Sequence, residues 1–315
     1  MQKYSSLDFS VSRRPSFMVN TLLLITIMLL YPLAGALLLS LFNGGFQQST
    51  SLLHPDRSMI FLLRMVQSVG QILMLALPVI LLAALHTGRK NPLSLDSMAF
   101  LGIRRSVDIG SVAFAVVGIF LLQPLLYTIT ALQDLYLWQS LGEAGAEVVR
   151  QRTMMDSFIK ELALVRSFPE FLFVAFVLAL TPAVCEELLF RGYIQQNYTQ
   201  SMSSGGAVLL TAFVFAFFHL SAANLLPLAL LGWYIGYIYS KTGNLAVPFF
   251  AHLVNNLAAL LFLMFVEGAD SLMVLRVEPL VRAPWWWLVV AVSSLLFVMI
   301  ILRFSSSLPS KNDVL

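Results

Sequence analysis

Residues 171–193 read FLFVAFVLALTPAVCEELLFRGY, an apolar run interrupted by Glu186, Glu187 and Arg191. A run of this length suits a helix crossing a bilayer, whose hydrocarbon core takes about 20 apolar residues. Charges inside it are costly, since an acid or base at a helix centre costs roughly 2.5–3.5 kcal/mol on insertion scales. Two further apolar segments also carry polar groups. One is Phe215-Ala216-Phe217-Phe218-His219, the other His252-Leu253-Val254-Asn255-Asn256. Carboxylates, a guanidinium, imidazoles and amides are tolerable there only if they meet one another. The three segments therefore predict one polar site inside a membrane-spanning bundle.

The rest of the chain agrees with a membrane reading. Of 315 residues, 59% are hydrophobic and 11% charged, against roughly 25% charged in a soluble domain. Eight apolar segments are long enough to be considered as spans: Met18–Phe42, Met59–Leu85, Asp108–Leu132, Phe171–Tyr193, Gly206–Leu220, Leu225–Ser240, Val247–Val266 and Pro284–Leu302. The fifth and sixth are short. The expected fold is all-α, a polytopic transmembrane bundle of about eight helices. Residues 1–17 form a cytoplasmic segment, 18–302 one transmembrane domain with its core at 171–266, and 303–315 a cytoplasmic tail. The first apolar run is too long for a signal peptide and lacks a small-residue cleavage site, so it reads as a retained span.

Basic residues set the orientation. Lys3, Arg13 and Arg14 precede the first span, and Arg89, Lys90, Arg104 and Arg105 lie between the second and third. Lys241 follows the sixth, and Arg303 and Lys311 lie in the tail. Only Arg57 falls between the first and second, so both termini are expected in the cytoplasm. The net charge of +3, spread over such loops, reads as topology and not as nucleic-acid binding. The partners implied are the lipid bilayer and a membrane-associated substrate. No oligomeric state follows from the sequence.

Asp134–Glu170 then lies outside, with Val148, Met155, Phe158, Ile159 and Leu162 near helical spacing. It reads as a surface helix, a cap over the site or a solvated connector. Arg64, Gln67 and Gln71 share one face of the second span, as a polar wall of the site or, preferably, as interhelical hydrogen-bonding groups. Trp285, Trp286 and Trp287 mark an interfacial anchor.

Spacing assigns provisional roles. Glu187 and Arg191, four apart, stack on one helix face in the favourable order for a pair. Glu186 is turned about 100° away, which leaves it free in a low-dielectric pocket to accept and return a proton. Phe215 and His219 share a face, so the ring packs beside the imidazole. Glu186 and His219 could hold and deprotonate a water. His252 and Asn256 also stand four apart, and their N–H groups could stabilise an oxyanion. Asn255 is turned off that face. The single cysteine, Cys185, excludes an internal disulfide, and a thiol protease would need a base beside it.

Glu-Glu-x-x-x-Arg-Gly, Phe-x-x-x-His and Thr-Gly-Asn-Leu-x-x-Pro-x-x-x-His-x-x-x-Asn occur in this order between Pro182 and Asn256. They resemble the motifs of the CAAX prenyl endopeptidase and bacteriocin-processing family of intramembrane proteases, also called the ABI family. The resemblance implies a glutamate-dependent peptidase. By that analogy Glu186 with His219 activates the attacking water, His252 and Asn256 bind the oxyanion, and Glu187 with Arg191 supports the site. It implies CAAX-type, bacteriocin or membrane-protein substrates and, as an expected location, a bacterial cytoplasmic membrane.

Two alternatives stand beside it. Glu186, His219 and His252 are a ligand set that catalytic zinc uses, although no His-Glu-x-x-His is present; the preferred reading has no cofactor. A transporter or scaffold would also place ionisable groups in the membrane. One difficulty attends every version: counting from the span ends puts Glu186 and His252 toward the cytoplasmic side and His219 toward the other.

Overall fold

The computed structural model describes residues 14–42, 57–265 and 277–307. Lys3, Arg13, Val266 and Lys311 lie outside them. Among the described residues every regular element is helical. In chain order these are α1 (Phe17–Phe42), α2 (Arg57–Thr87), α3 (Leu95–Phe100), α4 (Ile109–Ser140), α5 (Glu143–Ala163) and α6 (Phe168–Tyr198). Then follow α7 (Ser204–Phe218), α8 (Leu225–Thr242), α9 (Ala246–Phe265), α10 (Val277–Arg282) and α11 (Pro284–Ser307).

Six of these, α1, α2, α4, α6, α9 and α11, are long and apolar enough to cross a membrane. α7 is as apolar but shorter, and α8 ends in a stretch carrying Tyr234, Tyr237, Tyr239 and Lys241. Large apolar side chains of α1 and α11 are left exposed, among them Leu22, Leu29, Leu33, Leu288 and Leu295. A soluble protein would not keep so large an uncovered apolar surface; lipid covers it here. The chain is an integral, multi-pass membrane protein.

Local chemistry sets the helix ends. Asp108, Ser167 and Ser203 accept hydrogen bonds from backbone N–H groups of the first turns of α4, α6 and α7, satisfying donors that have no partner within the helix. The Ser111 hydroxyl and the backbone N–H groups of Ser111 and Gly110 hold the Asp108 carboxyl below its usual range. Gly88 and Gly243 close α2 and α8 in the left-handed conformation, which glycine adopts without steric cost. Pro78 and Pro182 would each leave a carbonyl one turn back unbonded. A wide π turn precedes each, Ile72–Ala76 and Phe176–Leu180, and Thr181 donates its hydroxyl to Phe176 O.

Two large apolar cores result, beside smaller clusters. One joins α1, α2, α6 and α7 through Leu24, Leu75, Val79, Leu189, Phe190 and Phe215. The other joins α4, α8, α9 and α11 through Ile119, Leu231, Tyr234, Ala251 and Phe297. α6 is the most buried of the six long helices and stands where the cores meet. α8 closes onto α7 through Gly232 and onto α7 and α6 through Gly236. A Cβ on Gly232 would lie 3.0 Å from the Phe215 ring, and one on Gly236 would lie 2.8 Å from Gln195 Oε1. Small residues four apart let helix backbones approach in this way. Both glycine carbonyls also accept from side chains of α6, Gly232 O from Arg191 and Gly236 O from Gln195.

Several boundaries depart from those expected. α4 continues past Leu132 to Ser140, so Asp134 belongs to it, while the expected external helix is Glu143–Ala163. That helix is docked and is not a free connector. Leu162 and Phe158 pack on Met59 and Leu63 of α2, and Arg152 pairs with Asp134 at 2.7 Å. Arg64 donates to Leu162 O and Leu164 O at the end of α5 and pairs with Glu170 at 2.9 Å. Of the two readings of that polar face, Arg64 takes the interhelical one. Arg64→Ala should therefore release the end of α5, at a cost of about 2 kcal/mol for lost charge-assisted bonds. Earlier protease nicking within residues 143–167 and a lower melting temperature would register it; an unchanged digestion pattern would contradict this role.

Candidate active site

α6 bears Glu186, Glu187 and Arg191, α7 ends just before His219, and α9 bears His252 and Asn256. The expected fourth span, Phe171–Tyr193, is too short at both ends, and this corrects the depth problem. α6 runs on to Tyr198, which sets Glu186 about 18 Å back from the turn that follows. α7 rises from that turn over 15 residues, about 22 Å, and so delivers His219 near the level of Glu186. The mismatch came from the span ends and not from the residues.

Another π segment, Leu188–Gln195, begins directly after Glu187. Turns of this kind recur where a helix must aim side chains at a functional site. Glu187 and Arg191 are wholly buried and paired at 3.0 Å. Arg191 also donates to Gly232 O and lies 4.7 Å from the centre of the Phe215 ring. The same ring meets His219 edge-on at 4.7 Å between centroids and His252 at 6.1 Å. Phe215 is thus the apolar partition around which both imidazoles and the guanidinium are arranged.

One link was not legible in the sequence. His252 Nδ1 lies 2.7 Å from Glu187 Oε1. A carboxylate only accepts, so Nδ1–H donates, and the Nε2 edge turns to Glu186 with Nε2 4.0 Å from Oε2. Glu187 Oε1 accordingly serves Arg191 and His252 at once. Spacing along one chain segment shows the first contact and is blind to the second. His219 Nδ1 lies 2.8 Å from Phe215 O, a carbonyl at the helix end with no partner within the helix. The backbone oxygen accepts, so Nδ1 carries a hydrogen. Leu220, with φ 50°, then turns the chain sharply out of α7.

Glu186 is 7% exposed, and its Oε2 has no hydrogen-bond partner. Tyr31 of α1 stacks on Phe218, one residue before His219. Neither Tyr31 nor the role of Gln123 described below was singled out in the sequence; an isolated polar group in an apolar span was the available signal. Cys185 is buried and free. Among the described residues no three His, Cys, Asp or Glu side chains converge so as to hold a metal ion.

A polytopic helical membrane protein with carboxylates and an imidazole meeting between its helices has the makings of an intramembrane hydrolase. The family model described as Type II CAAX prenyl endopeptidase Rce1-like matches residues 168–258, the stretch from the start of α6 into α9 that carries every motif above. Over that stretch the resemblance to the CAAX prenyl endopeptidase family is shown, and the family is one of proteases. No curated protein and no solved structure matches the chain.

Proposed function

We propose that the chain hydrolyses a peptide bond of a membrane-associated protein or peptide, by a water that Glu186 activates. One observation supports this most: a buried carboxylate oxygen without a partner, facing an imidazole edge 4.0 Å away. An unpaired buried acceptor is costly, and a reacting water is the partner that would relieve it.

In this reading Glu186 takes a proton from the water while the His219 Nε2 lone pair orients it. The hydroxide attacks the scissile carbonyl carbon, and the oxyanion receives N–H groups from His252 and Asn256. Glu186 then gives its proton to the leaving amine as the tetrahedral intermediate collapses. Glu187 and Arg191 hold the His252 ring. The substrate class is CAAX-type, bacteriocin or membrane-protein processing. The expected setting is a bacterial cytoplasmic membrane with both termini and the entrance on the cytoplasmic side.

The test is a panel of membrane-anchored peptides, prenylated Cys-a-a-X peptides included, incubated with purified protein in detergent, with products read by mass spectrometry. Cleavage of at least one peptide, unchanged by a strong chelator, is expected. Loss with chelator and return with zinc would overturn the metal-free mechanism, and no cleavage of any peptide would count against the peptidase.

A further inference from the structure

A polar contact reaches the site from outside the segment that carries the motifs. Gln123 lies in α4, a helix of the second core, and its Nε2 donates to Asn255 Oδ1 at 3.0 Å. Asn255 Nδ2 in turn donates to Asn256 Oδ1 at 3.4 Å. The three amides form a directional chain, each using an N–H on the carbonyl of the next. An amide has one carbonyl and one NH₂ group, and the two are interchanged by a flip. With Oδ1 of Asn256 taken by Asn255, its Nδ2 hydrogens are the groups left to point away.

We propose that Gln123 is a positioning residue that fixes the polarity of the Asn256 amide through Asn255, so that N–H and not C=O faces the reacting carbonyl. The proposal rests on the oxyanion role given to Asn256 above. The chemistry needs such a device. A flipped Asn256 would present a carbonyl oxygen to a developing negative charge, exchanging attraction for repulsion at the same distance. Asn256 sits on one helix face with His252, and Asn255 is turned about 100° from it, toward α4. Asn255 is therefore able to connect the reacting face to a helix that the site does not otherwise use.

The surroundings strengthen the chain. Gln123 and Asn255 stand in the wall of a cavity of about 480 Å³ whose other lining is apolar, including Phe120, Leu126, Tyr127, Leu231 and Phe262. Consecutive amide hydrogen bonds in a chain polarise one another. One residue on, Thr128 Oγ donates to Pro124 O.

The experiment uses full-length protein in detergent and a membrane-anchored peptide that the wild type cleaves. Gln123→Met removes the first donor with nearly the same bulk, and Asn255→Leu removes the middle amide. Each should lower kcat about 10-fold, below the 10²–10³-fold loss typical of deleting an oxyanion donor, and leave KM within about twofold. In an Asn256→Ala background the same substitutions should change kcat by less than about twofold, since groups acting through one another are not additive. Melting temperature and elution profile report folding for every variant.

If Asn256→Ala keeps wild-type kcat, the oxyanion assignment falls, and this proposal with it. If Asn256→Ala lowers kcat while Gln123→Met leaves it unchanged, the relay alone is overturned. Equal losses in both backgrounds, accompanied by lower melting temperatures, would make Gln123 a packing residue and overturn the relay as well.

Discussion

Glu186→Ala and Glu186→Gln are expected to lose cleavage by about 10²–10⁴-fold, the range supplied by a positioned general acid–base, while the folded bundle survives. The structure separates these two outcomes clearly. Glu186 Oε2 makes no hydrogen bond within the protein, so its removal breaks none there and loses only the 4.0 Å approach of that oxygen to His252 Nε2. It even relieves a buried acceptor. The neutral amide of Gln keeps the shape and cannot take a proton. His219→Ala should lower the same step and leave folding unchanged, because the ring is half-buried at a helix end and bonds only a local carbonyl. A melting temperature within a few degrees of wild type, together with lost turnover, is the pattern to look for. A Glu186 variant that unfolds would place this residue in the scaffold instead.

Glu187→Ala should do the reverse and remove the fold. Its Oε1 accepts from Arg191 at 3.0 Å and from His252 at 2.7 Å, and neither Glu187 nor Arg191 is exposed at all. Breaking a buried pair by deleting one partner costs about 3–5 kcal/mol, because the other charge stays buried without compensation. Arg191 keeps Gly232 O and the Phe215 ring, and neither neutralises it. Glu187→Gln retains an oxygen that can accept from both neighbours, so it should fold and show reduced turnover through a looser His252. Thermal scans of the detergent-purified proteins distinguish these cases. A Glu187→Ala protein as stable as wild type would show that the pair contributes nothing to the bundle.

The contrast between the adjacent glutamates was partly visible in the sequence. Four-residue spacing ties Glu187 to Arg191 and frees Glu186, since both ends of that contact lie on one helix. Apolar runs likewise marked the helices, because membrane crossing is a property of each segment by itself. What depended on helices meeting was hidden. His252 on Glu187, Arg64 on the end of α5 and Gln123 on Asn255 join residues far apart in sequence, and no periodicity encodes them. The depth of His219 was misjudged because apolar residues alone fixed the span ends. Ser203, with Gly205 and Gly206 following, was the helix-start signal that could have corrected it, and the extension of α6 to Tyr198 supplied the rest. Two of the π turns were implied by Pro78 and Pro182, although the widening before each proline was not expected.

The measurement that bears most directly on this account is turnover of one membrane-anchored peptide by wild type and Glu186→Gln, purified side by side in the same detergent. Their elution profiles and melting temperatures should match. The account predicts cleavage by the wild type and none above background by the folded variant. Cleavage by Glu186→Gln at a rate near wild type would contradict it, and would move the proton-transfer role away from Glu186.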